Sequence, residues 1–229
     1  MTMTKDKPIT QIEINRKIWE EILRWGDKNM RDYPWRHSPD GYKILIAEII
    51  LHRTKADQVN MIYENFINTY PDLRSIAEAG EDKIKSDLHS LGLAWRSELL
   101  YSMSLEILEK YDGTIPRDKA DLMDLPGVGH YIASAVLCFG YNLPEPVIDT
   151  NTVRVIGRIF GLKITDSSRR SKKFKKFMSD IISHGRPREF SLSLIDFASL
   201  ICTAGAYPKC NICPLKDICS YHLNQKELT

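Results

Sequence analysis

The sequence predicts an all-α protein, and three observations carry that prediction. Apolar residues recur at helical spacing through almost every segment, no alternating strand pattern recurs, and there is no internal repeat or low-complexity tract. The 229 residues suffice for one large domain or two small ones sharing a core. With 43% hydrophobic and 27% charged residues, the chain has the balance of a folded globular protein rather than a disordered one.

The elements follow in order. Ile12, Ile18, Trp19, Ile22, Leu23 and Trp25 lie at helical spacings over residues 12–25. A Pro- and Gly-bearing turn, 34–41, precedes the largely apolar run 42–53, which reads as a buried helix. Val59, Ile62, Tyr63, Phe66 and Tyr70 form one stripe over 57–70, stopped by Pro71. Helical patterns follow at 74–79, 81–89, 96–111 and 118–123. A small-residue helix spans 131–139, and further helices span 152–160, 171–183 and 191–202.

The net charge is only +2, so the overall balance does not announce a nucleic-acid binder. The densest basic run is Arg169, Arg170, Lys172, Lys173, Lys175 and Lys176, readable as a solvated helix face or as phosphate contacts. No apolar stretch approaches the roughly 20 residues needed to cross a bilayer, and Met1 to Pro8 lacks the apolar core of a signal peptide. The expected compartment is the cytoplasm, without membrane association. Its reducing conditions disfavour structural disulfides and direct attention to metal ligation.

Four of the five cysteines, Cys202, Cys210, Cys213 and Cys219, show the spacing C-x7-C-x2-C-x5-C. Thiolates so close in sequence select zinc or an iron–sulfur cluster. Zinc sites usually combine two short-spaced pairs. Here Cys210 and Cys213 form one such pair, and the uneven spacing suits a cuboidal cluster. The alternative is a set of buried thiols. Cys138, among Val136, Leu137 and Phe139, reads as a small core hydrophobe.

Leu125-Pro126-Gly127-Val128-Gly129 separates two helices. It is either a plain turn or a nest of backbone amides able to grip an anion without net positive charge. Asp149 follows a Pro-bounded loop at the start of a helix. There a carboxylate serves as an N-cap and can also be aimed into a cleft. Glu48 lies within an apolar run, where an acid needs either a partner such as Arg36 or a pKa raised by burial.

Hairpin, aspartate and four cysteines, in this order, resemble the helix-hairpin-helix DNA glycosylases of the endonuclease III type, over about residues 15–222. The resemblance implies two helical domains with a substrate cleft between them. One is a six-helix barrel with the helix-hairpin-helix motif, at 32–142. The other is discontinuous, 1–31 and 143–229, and carries a 4Fe–4S cluster on Cys202, Cys210, Cys213 and Cys219. Strand-cleaving members have a lysine just after the hairpin, where this chain has Tyr131, and a phenol cannot form their Schiff base. A monofunctional enzyme is therefore expected.

The segment around Glu48 resembles two subfamilies, the mismatch thymine glycosylases and the adenine glycosylases. Both can show the tyrosine and the Asp149-x-Asn151 pattern. Adenine enzymes usually read Gln-Gln-Thr where this chain has His52-Arg53-Thr54, and usually carry a further C-terminal domain, whereas this sequence ends ten residues after Cys219. The resemblance therefore favours removal of thymine or uracil opposite guanine from duplex DNA by a monomeric enzyme, with adenine removal as the alternative. By the same likeness, Asp149 stabilises the sugar cation and Glu48 assists the leaving base, while Tyr131 and Asn151 position them. Gly127, Val128 and Gly129 hold a phosphate. Arg53, with its neighbour His52, and Leu93 fill the space of the flipped base, although Leu93 also reads as an ordinary core or loop leucine. The chain departs from its relatives in having seven rather than six residues between Cys202 and Cys210. Readings of another class are a non-catalytic iron–sulfur DNA-binding module, to which the two acids would be superfluous, and a zinc-bearing interaction domain.

Overall fold

The computed structural model describes residues 10–37, 39–92, 95–205 and 207–226, and among them every regular element is helical. Among the described residues twelve α-helices follow one another: α1 (Gln11–Asn29), α2 (Gly41–Leu51), α3 (Ala56–Thr69), α4 (Leu73–Ala79), α5 (Glu81–Asp87), α6 (Trp95–Tyr111), α7 (Lys119–Asp124), α8 (His130–Ala135), α9 (Thr150–Ile159), α10 (Lys172–Ile182), α11 (Pro187–Leu200) and α12 (Ser220–Lys226). Helix starts follow the capping chemistry of the sequence. Thr10, Asp72 and Asp149 each close a reciprocal capping box, Asp40 and Ser171 each accept one amide bond, and Asp118 accepts two. None of these helices is long and apolar enough to cross a membrane.

The chain divides into two compact units. Asp32–Glu145 forms one, and the segments before Asp32 and after Glu145 form the other. In the first, α2 is the central element: Ile44, Leu45, Ile46, Ala47, Ile49 and Ile50 are all buried. Such all-round apolarity is what a helix enclosed on every side requires. It packs against α8 and the π-helical turn Val136–Gly140. A Cβ on Gly140 would stand 2.9 Å from the Gly41 Cα, so the two backbones approach where neither has a side chain.

In the second unit, α1 packs along α11, burying Ile18, Ile22 and Leu23 on one side and Phe190, Leu194 and Phe197 on the other. Gly26 permits that approach, because a Cβ there would meet the Ser193 Cβ at 2.5 Å. Asp196, fully buried on α11, receives the Arg31 backbone amide at 2.7 Å and its guanidinium Nη2 at 2.6 Å, tying down the end of the α1 segment.

Three local features differ from the periodicity reading. The expected helix over 131–139 is α-helical only to Ala135 and continues as a π turn. Helix α11 starts at Pro187, earlier than the apolar pattern, since proline is tolerated in the first turn, where its missing amide costs no bond. Helix α12 carries too few apolar residues to announce itself. Cys138 is fully buried, as a small core residue would be.

Candidate active site

Asp149 is the N-cap of α9, and both of its carboxylate oxygens are engaged. Oδ1 accepts the Thr152 amide at 2.7 Å, and Oδ2 accepts the Asn151 side-chain amide at 2.7 Å. The Thr152 hydroxyl in turn accepts the Asp149 backbone amide at 2.9 Å. The carboxylate is half-buried, held from two directions and placed at the N-terminal end of α9. The cap and the aimed acid are thus one arrangement.

The network continues beyond the aspartate through residues that the sequence reading missed. Arg154 Nη2 donates to Asn151 Oδ1 at 3.1 Å and to the Ala198 carbonyl at 2.9 Å, and its Nε donates to the Cys202 carbonyl at 2.9 Å. One turn later, Arg158 Nη1 reaches the Thr203 carbonyl at 2.7 Å and Cys202 Sγ at 3.4 Å, and Nη2 reaches the Gly205 carbonyl at 3.2 Å. Two arginines four residues apart share a helix face. That spacing was the available signal, but the partners lie 44 to 48 residues away in sequence.

The four cysteines of the C-terminal segment lie within electrostatic reach of one another, and burial raises the thiols of Cys210 and Cys219 and pushes Cys213 up to about 12. Cys219 Sγ donates to the Arg158 carbonyl at 3.5 Å. Among the described residues no group of three or more His, Cys, Asp or Glu side chains is drawn together at metal-binding distance. As a donor set, four sulfurs without oxygen ligands fit a soft centre rather than a hard cation.

The other unit carries the remaining candidates. Glu48 is buried on α2 and Tyr131 is half-buried on α8, on two helices that pack together, and neither is without a partner. In the hairpin between α7 and α8, Gly127 has φ +71°, a left-handed conformation that suits glycine, and a Cβ there would meet the Leu99 methyls at 2.5 and 2.6 Å. Gly129 has an ordinary φ of −91° and open space where a Cβ would point. Val128 is buried, and its amide is bonded to the Leu125 carbonyl at 3.1 Å. His52 and Arg53 are exposed just after α2, and Arg53 has φ +61°. Leu93 lies outside the described residues. The basic run is exposed: Phe174, Met178, Ile181 and Ile182 face inward on α10, and its lysines face out.

Known proteins share this architecture. A family model described as HhH-GPD superfamily base excision DNA repair protein matches residues 46–180. A thymine/uracil-DNA glycosylase of Methanothermobacter thermautotrophicus is 36% identical over 209 residues, which cover 90% of this chain and 94% of that protein. An adenine DNA glycosylase of Buchnera aphidicola subsp. Baizongia pistaciae is 32% identical over 91% of this chain, but the match spans 59% of the relative. The solved structure of a thermostable thymine-DNA glycosylase superposes with a TM-score of 0.86 at 34% identity, covering 93% of this chain and 98% of that one. An endonuclease III–DNA complex gives 0.79 at 22% identity, a likeness of fold. Scaffold and hairpin thus define an all-helical class of DNA repair protein. The chain belongs to the HhH-GPD superfamily of base excision DNA repair proteins.

Proposed function

We propose that the protein is a monofunctional DNA glycosylase that removes thymine or uracil mispaired with guanine by hydrolysing the N-glycosidic bond. The observation that carries the reading is the doubly held carboxylate of Asp149. A fixed anion of this kind stabilises an oxocarbenium-like sugar and then either activates water or traps the sugar for a time. The near full-length matches to proteins named thymine or thymine/uracil-DNA glycosylase support the choice of base.

The target base must leave the stack to be reached, and a wobble pair costs less to open. Glu48, buried, assists the departing base, and Asn151 and Tyr131 position the reacting groups. The Gly127 and Gly129 backbones hold a phosphate, and Arg53 offers a guanidinium fork to the paired acceptors of the orphaned guanine. Tyr131 cannot act as a Schiff-base amine, so an abasic site is the product. Cys202, Cys210, Cys213 and Cys219 would hold a 4Fe–4S cluster whose contribution is structural, bracing the loop that Arg158 grips, and purified protein would then be yellow-brown. The enzyme acts as a monomer on duplex DNA.

Asp149→Asn is the direct test. It should keep binding to a G·U duplex while single-turnover uracil release falls by about a hundredfold or more. Unchanged release would remove Asp149 from the mechanism, and a borohydride-trapped adduct with the unmutated protein would overturn the monofunctional assignment. Parallel duplexes carrying G·T, G·U, G·A and 8-oxoguanine·A decide between the thymine and adenine readings.

A further inference from the structure

Arg53 is held in a left-handed backbone conformation, φ +61°, which residues with a Cβ avoid because of steric conflict with the carbonyl oxygen. Such a conformation persists only where surrounding contacts over-determine it. The contacts come from Arg96, on the first turn of α6. Its Nη2 donates to the carbonyl of His52 and to the hydroxyl of Thr54, the residues on either side of Arg53. The Trp95 ring closes edge-to-face on His52, with centroids 5.4 Å apart, and the Arg96 guanidinium carbon lies 5.8 Å from the centre of the Trp95 ring.

Arg96 is 1% exposed, and its Nε and Nη1 are buried without a hydrogen-bond partner. For stability alone this is a poor use of the space, because an apolar side chain of similar volume would avoid the desolvation of a guanidinium. What only a fork of donors supplies is a grip on two acceptors that flank one residue. Arg53 itself stays exposed.

We infer that Arg96 is a positioning residue that locks the His52–Arg53–Thr54 turn so that Arg53 stands ready to read the base opposite the excised one. The inference rests on the opposite-base role of Arg53 given above. A probe fixed before the duplex arrives discriminates better than one that must be ordered on contact.

The measurement is the ratio of single-turnover uracil release from G·U over A·U duplexes, in which the fraction of active enzyme cancels. Arg53→Ala should lower the ratio by about tenfold, the scale of one bidentate guanine contact. Arg96→Met should lower it to a similar extent, Arg96→Lys should restore part of it, and the Arg53→Ala/Arg96→Met pair should fall no further than Arg53→Ala. An unchanged ratio in Arg96→Met, or effects that multiply in the pair, overturns the inference. Should Arg96→Met fail to fold, Thr54→Val removes one acceptor of the same clamp, and unchanged ratios in Thr54→Val and Arg96→Lys overturn it equally. If Arg53→Ala leaves the ratio intact, the role of Arg53 falls and this inference with it. If the unmutated protein releases no uracil from G·U, it is the proposed function that has failed.

Discussion

His52 shows how the charge around the Arg53 turn bears on stability. Partial desolvation, and then the neighbouring Arg53 and Arg96 guanidiniums, hold its imidazole below the usual histidine range. The unfolded chain, with a pKa of about 6.5, therefore takes up a proton at a pH where the folded protein does not. Stability from this group is full above about pH 6.5 and declines as pH falls towards the folded pKa. His52→Gln should show a smaller drop in urea midpoint between neutral and mildly acidic pH than the unmutated protein, and equal drops would refute the argument. Residues of this kind were only half legible. Asp149, Glu48 and Tyr131 stood out by their sequence neighbours, whereas Arg96 could not, because its partners lie 42 and 44 residues away and only the folded helix pair brings them together.

At the scale of elements, the hairpin separates two glycines that look equivalent in sequence. Gly127 is glycine for the chain's own sake: Gly127→Ala meets both the left-handed backbone and the Leu99 methyls, and should cost about 1–3 kcal/mol in urea unfolding. Gly129 has no internal reason to lack a side chain, so Gly129→Ala should unfold within about 1 kcal/mol of the unmutated protein. Its effect should appear in duplex affinity, because the Cβ enters the space a phosphate would occupy. Normal duplex binding by Gly129→Ala would argue that the hairpin is a turn and nothing more. Helical periodicity made most elements readable because apolar stripes and caps are local. The π turn after Ala135 and the short helix α12 were not, since one depends on close packing against α2 and the other carries little apolar pattern.

At the scale of the whole molecule, the unit that carries Asp149 depends on a helix from the far end of the sequence. At Gly26 α1 lies close against α11, and a Cβ there would overlap Ser193 Oγ at 1.9 Å. Gly26→Val should therefore destabilise by about 1–3 kcal/mol through overpacking. Limited proteolysis should then cut the segments before Asp32 and after Glu145 first, while Asp32–Glu145 persists. Simultaneous loss of both units would show that they do not unfold separately.

The same arrangement sets an order of events on the ribosome. Helix α1 emerges with Ile18, Ile22 and Leu23 uncovered, and its partner α11 cannot appear until all of Asp32–Glu145 has been synthesised. At about 5–20 residues per second, that interval lasts on the order of ten seconds. The nascent chain thus carries an orphan apolar face while the hairpin unit forms behind it. A chaperone that holds such faces would have α1 to bind throughout that interval.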